Sequence, residues 1–184
     1  MGFFDKFRKK SASQETQTVK IEEYEKYILV VDDAPFLRKV VRNELTRNGY
    51  DQIVEAENGE KAVTAFKANR PYLVITDLTM PFMDGIEACR AMREIDPTVP
   101  VIICFGTIGF PETYEAFEAS AKPILEEAFE SGAKAILSKP FSMEKLVQAV
   151  KYALDGDPQS STKNVFITYK AEADLIRAKN DSDN

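Results

Sequence analysis

Residues 27–36, YILVVDDAPF, decide how the chain is read. The apolar run Ile28 to Val31 is too short for a helix and is followed at once by two acids, the pattern of a strand buried on both faces. Pro35 suits a first helical turn, where its missing N–H is no loss. Phe36, Val40, Val41 and Leu45 then make an apolar stripe that stops at Asn48-Gly49. A strand, two acids and a helix follow one another within about twenty residues.

The same alternation continues to Leu154. Further short apolar runs occur at Ile53 to Ala56, Tyr72 to Thr76, Val99 to Cys104 and Ala135 to Leu137. Helical patterns separate them: Ala62, Ala65 and Phe66; Ile86, Cys89 and Met92; a longer stretch around Phe117 to Phe129; and Leu146, Val147, Val150 and Leu154, with Ser142 as N-cap. Strict alternation requires parallel strands joined by right-handed crossovers, with helices on both faces. The expected fold is α/β, a doubly wound sheet of five parallel strands. In such sheets functional groups collect beyond the carboxyl ends of the strands, at the switch point in strand order.

Composition limits the chemistry available there. The 184 residues include 24 basic and 30 acidic side chains, a net charge of −6, and no histidine. Serine and cysteine nucleophiles activated by histidine, histidine-containing zinc sites and histidine acid–base catalysis are thereby excluded. Cys89 and Cys104 form neither a C-x-x-C pair nor a disulfide framework and read as small buried hydrophobes. No apolar run approaches bilayer length and no secretory pattern opens the chain, so a cytoplasmic location is expected. The acidic balance disfavours nucleic acid as a partner.

Acids and a lysine fall where the topology points. Asp32 and Asp33 end the first strand, Asp77 the third, and Ser138-Lys139-Pro140 the fifth. Singly, each has a structural reading: a helix cap, a turn opener, a solvated charge. Together they place three carboxylates and one ammonium at the ends of three strands of one sheet. Uncompensated carboxylates repel, and a hard divalent cation such as Mg²⁺ relieves the conflict while leaving room for water and phosphate oxygens. The chemistry read from this set is a carboxylate that accepts a phosphoryl group, with metal and lysine neutralising charge. Asp77 is the central candidate. Asp77-Leu78-Thr79 lacks the second acid of an aspartate-nucleophile phosphatase, and no P-loop pattern occurs.

The segments VVDDAPF (30–36), VITDLTMPFMDG (74–85) and SKPF (138–141) resemble the receiver domain of bacterial response regulators, the CheY-like family in its stand-alone chemotaxis form. The resemblance implies a flavodoxin-like sheet of strand order 2-1-3-4-5. It implies that Asp77 is phosphorylated by a partner histidine kinase. Mg²⁺ would be held by Asp32, Asp33, Asp77 and the backbone carbonyl of Thr79. Lys139 would contact the phosphoryl group, and Lys139-Pro140 would be a cis peptide. The protein would then be a signalling phosphoacceptor that promotes its own phosphoryl transfer, not an enzyme acting on a separate substrate.

Two departures from the family pattern stand out. The Ser or Thr that the resemblance places at the end of the fourth strand falls on Phe105, and the aromatic of the fifth strand falls on Ile136. Thr107 is the nearest hydroxyl, but two residues along an extended segment displace a side chain by roughly 6–7 Å. The stretch from Phe105 to Lys139 is also longer than the resemblance implies, placing an insertion at about 106–122. An insertion there, beside the last helix, would remodel the choice of a downstream protein partner.

The expected organisation is an N-terminal extension (1–25), a receiver domain (26–154) and a C-terminal extension (155–184). The tip MGFFDKFRKK combines Phe3, Phe4 and Phe7 with Lys6, Arg8, Lys9 and Lys10, an amphipathic basic pattern able to meet an anionic membrane or a partner groove. The C-terminal extension is too short for an independent DNA-binding effector. Three functions compete: a receiver that switches protein contacts when phosphorylated, a receiver-like interaction module with vestigial phosphorylation, and a phosphate sink for a kinase.

Overall fold

The computed structural model describes residues 27–106 and 122–155. Strands and helices alternate along them: β1 (Ile28–Val31), α1 (Pro35–Arg47), β2 (Ile53–Ala56), α2 (Gly59–Ala68), β3 (Leu73–Asp77), α3 (Gly85–Ile95), β4 (Val101–Gly106), α4 (Lys122–Glu130), β5 (Ala135–Lys139) and α5 (Met143–Asp155). The strands form one parallel sheet in the order β2-β1-β3-β4-β5. This is the doubly wound fold expected from the alternation, with β1 and β3 adjacent at the point where strand order reverses.

Alternation of side chains along each strand creates two cores. Leu29, Val31, Val74, Ile103 and Phe105 pack with Phe66 of α2, Met92 of α3 and Leu125 of α4. Ile28, Val30, Ile75, Cys104 and Leu137 pack on the other side with Val41 and Leu45 of α1 and Leu146 and Val150 of α5. Each large side chain fully withdrawn from water contributes about 1.5–3 kcal/mol, so β1, buried along its whole length, anchors both layers.

Local chemistry sets the helix ends. Asn58 caps α2 by accepting from Lys61 N, and Asp84 and Glu87 form a capping box at the start of α3. Ser142 Oγ accepts from Lys145 N at 3.2 Å, the cap expected for α5. Asn48 ends α1 and Gly49, at φ +86°, turns the chain out of it. Pro123 occupies the second position of α4, within the first turn, where it interrupts no helical hydrogen bond.

Several expectations are corrected. The fourth strand runs Val101–Gly106, two residues further toward its carboxyl end than the apolar run Val99 to Cys104, while the third and fifth end at Asp77 and Lys139, where the acid and the lysine are expected. Ladder pairing, not hydrophobicity, sets those ends: Asp77 pairs with Cys104 and Gly106 with Lys139. Phe36 is not part of the buried stripe of α1 and is 74% exposed. At about 100° per residue it lies some 140° from Val41 and opposite Leu45. The N-terminal extension, the insertion with Thr107, the start of the helix expected from Phe117 and the C-terminal extension beyond Asp155 lie outside the described residues. No helix among the described residues is long and apolar enough to cross a membrane.

Candidate functional site

Parallel register brings three strand ends to one place. Val31 stands between Ala56 and Thr76, so Asp32, one residue on, emerges beside Asp77. Lys139 reaches both from β5: its Nζ donates to Asp32 Oδ2 at 2.8 Å and lies 2.9 Å from Asp77 Oδ1. Asp32 and Asp77 are buried and Asp33 is exposed. Oxygens of all three carboxylates lie within 4.8 Å of one another.

Asp32 and Asp77 are each further held by a backbone N–H. Asp32 Oδ1 accepts from Ala34 N at 2.8 Å, and the Asp32 carbonyl accepts from Arg38 Nη1 at 2.6 Å. Arg38 is oriented in turn by Glu55 of β2, which also takes Arg42. Asp77 Oδ1 accepts from Leu78 N at 2.9 Å, while Oδ2 carries no hydrogen bond among the described residues. The chain leaving Asp77 is fixed on both sides: Leu78 N donates to Cys104 O, and Gly85 N donates back to Leu78 O.

Burial pushes the Asp77 carboxyl above the ordinary aspartate range, with the nearby Asp32 charge adding to it, while the Lys139 ammonium and Leu78 N–H pull in the opposite sense. Burial also works against the charged Lys139, but its bonds to Asp32 and Asp77 outweigh that and hold its pKa above the usual lysine value. The two directions are compatible: the ammonium is strongly retained, and Asp77 is a desolvated carboxylate whose negative charge is incompletely compensated. Burial pushes the Cys104 thiol, which borders the site, up to about 12, so it stays protonated.

The residues fit a hard divalent cation. Three carboxylates against one ammonium leave a local charge of −2, and every available donor is oxygen. Octahedral bonds of about 2.1 Å place neighbouring ligand oxygens roughly 3 Å apart and opposite ones roughly 4.2 Å apart. The three carboxylates, with oxygens within 4.8 Å of one another, are spaced closely enough to share one such ion.

Phe105 and Ile136 are both buried, in the core shared with α3 and α4. On β4 the residues facing the acid pocket are Cys104, through its side chain, and Gly106, through its backbone, and both line the space above Asp77. Phe105 points to the opposite face, beside β5 Ser138 in the ladder. Thr79 is exposed, two residues beyond Asp77. The Lys139–Pro140 peptide is cis.

Three structural contributors escaped the reading of the sequence. Arg38, six residues from Asp32, has no local signature, because its role depends on α1 folding back over the end of β1. Glu55 is equally silent in the sequence. The capping box was detectable from the Asp84-Gly85-Ile86-Glu87 spacing.

A buried aspartate, two neighbouring acids and a bridging lysine at the ends of β1, β3 and β5 define a receiver-type α/β domain. The family model of the response regulator receiver domain matches residues 28–151, and the chain belongs to that family. It is 34% identical over 128 residues to the chemotaxis protein CheY of Bacillus subtilis, covering 70% of this chain and 97% of that one. It is 37% identical over 125 residues to CheY of Thermotoga maritima, covering 68% and 94% respectively. Among solved structures, the chemotaxis protein CheY4 of Vibrio cholerae superposes with a TM-score of 0.58 at 27% identity, over 70% of this chain and 98% of that one.

Proposed function

We propose that the protein accepts a phosphoryl group on Asp77 from the phosphohistidine of a histidine kinase, and signals through protein contacts in a two-component, chemotaxis-like pathway. The observation that carries this reading is the Lys139 ammonium bridging Asp32 and Asp77 at 2.8 and 2.9 Å. Asp77 Oδ1 is held by Lys139 and Leu78 N, which leaves Oδ2 as the attacking atom. The O–P bond forms as the donor N–P bond breaks, and the leaving imidazole keeps the electron pair and takes a proton from solvent. Lys139 neutralises charge on the transferring group, and attack by water later returns inorganic phosphate and the free carboxylate. Asp32, Asp33, Asp77 and the Thr79 carbonyl would hold Mg²⁺, which supplies charge neutralisation on the phosphoryl oxygens when bound.

A sink-like role, in which phosphorylation drains a kinase without the usual relay, is favoured by one observation. Phe105 offers no hydroxyl and is packed into the core facing away from the acid pocket. Incubation with an acyl phosphate donor and Mg²⁺, followed by intact-mass measurement, tests acceptance. One phosphoryl adduct that hydroxylamine removes, as it does from an acyl phosphate, is expected on the wild type and none on Asp77→Asn. An adduct that persists in Asp77→Asn removes Asp77 from the role. Spectra of β4 and β5 with and without a phosphoryl mimic separate the two readings, since an unresponsive Phe105–Ile136 region favours the sink.

A further inference from the structure

The acceptor chemistry uses the floor of the pocket and leaves its walls unassigned. A cavity of about 400 Å³ opens above Asp77 between α1 and the start of α5. Its walls include Leu37 and Val40 on one side and Phe141 and Met143 on the other, and Asp32, Asp77 and Lys139 line it too. Beside Leu37, Phe36 is 74% exposed with no partner in the core. The ligand such a surface selects is apolar and cationic at once.

The chain carries a segment of that chemistry. We propose that its own amino-terminal tip, MGFFDKFRKK, covers this cavity, with Phe3, Phe4 and Phe7 against the apolar walls and Lys6, Arg8, Lys9 and Lys10 over the acids. In a chain of net charge −6, four cations within five residues are an unusual concentration, and the cavity lining, with two carboxylates against one ammonium, keeps a net negative charge that attracts them.

Reach decides in favour of the chain's own tip over a free partner. Twenty residues separate Phe7 from Tyr27, a contour of about 66–70 Å. Coil statistics for that length give an r.m.s. span of about 25 Å. From Tyr27 to Asp32 the strand direction advances only about 17 Å. A tether whose span exceeds the path by this little yields an effective concentration in the millimolar range. An interaction too weak to form between separate molecules is therefore populated within one. The inference does not depend on Asp77 being phosphorylated.

The chain contains no tryptophan, so Phe4→Trp in the full-length protein supplies a single fluorescent reporter. The expected result is an indole emission shifted to the blue and an acrylamide quenching constant at least about twofold below that of the denatured chain, independent of protein concentration. Combining Phe36→Ser with Leu37→Asn, both at accessible positions, should return the indole to full exposure while circular dichroism stays native. Met143→Gln tests the opposite wall in the same way. A fully accessible indole in the folded wild-type background overturns the proposal, as does burial unaffected by all three wall substitutions. Burial that grows with protein concentration assigns the surface to a second copy instead. Burial that appears only with vesicles of anionic phospholipid assigns the tip to a membrane.

Discussion

A methyl group at Gly85 would lie 2.1 Å from the carbonyl oxygen of Asp77. Because that obstacle is backbone and not a movable side chain, the start of α3 can pass beneath the acceptor only without a Cβ. The Gly85 N–H to Leu78 O bond, at 2.8 Å, uses the same close approach. Gly85→Ala should destabilise the fold by about 3 kcal/mol, read from the urea midpoint. It should also disturb Asp77 more than a core cavity of equal cost elsewhere would.

Lys139 Nζ occupies Asp32 Oδ2 and Asp77 Oδ1, oxygens that a divalent cation in the acid cluster would also draw on. Lys139→Met removes the competitor and leaves the local acids without a positive partner. Mg²⁺ affinity measured by calorimetry should rise by about tenfold or more, while phosphorylation by an acyl phosphate falls. Unchanged affinity would mean that the ammonium and the cation occupy separate sites.

Phe82 is held at φ +72° and is 82% exposed. Met83 N donates to Pro81 O at 2.9 Å, closing a three-residue turn around it, and Gly59 N donates to Met83 O. The loop is thus pinned from two sides, and the aromatic gains little burial for its left-handed backbone. Phe82→Asn should raise stability by about 1 kcal/mol, seen as a higher melting temperature. A loss of stability would show that the ring has a packing role.

Glu55 joins Arg38 and Arg42 at 3.2 and 2.6 Å. Burial works against its charge, but the hydrogen bonds from Arg42 and Arg38 outweigh it and hold its pKa below the ordinary glutamate value. A depressed carboxylate stabilises the fold above its unfolded pKa, and that contribution is lost as pH falls through the folded pKa. The stability gap between wild type and Glu55→Gln should therefore be full at pH 7 and shrink as the pH drops below the ordinary glutamate pKa. A gap that stays constant down to pH 3 would show that Glu55 acts by packing and not by charge.

Much of the fold was legible because period and punctuation are local. The run Ile28 to Val31, the Pro35 start and the Asn48-Gly49 stop of α1 depend on neighbours within a few residues, and all three stand in the structure. The end of the fourth strand was less legible, since Gly106 is a strand residue by virtue of its pairing with Lys139. The acids and lysine of the site were visible as a set because doubly wound sheets send strand ends to one edge. Their mutual geometry was not.

Asp32 and Lys139 illustrate the division. The alternation of apolar runs with amphipathic stretches dictated five strands, the crossovers and the edge at which charged residues gather, because these follow from backbone periodicity and chirality. That Lys139 Nζ meets Asp32 Oδ2 at 2.8 Å across 107 residues of chain depends on ladder register. So does the orientation of Phe105 away from Asp77, since one residue of register sends a side chain to the opposite face. Gly85 beneath the Asp77 carbonyl, Arg38 folded back onto Asp32 and Phe36 left in solvent arise only when separate elements pack. Such contacts join residues whose spacing along the chain carries no periodic signal.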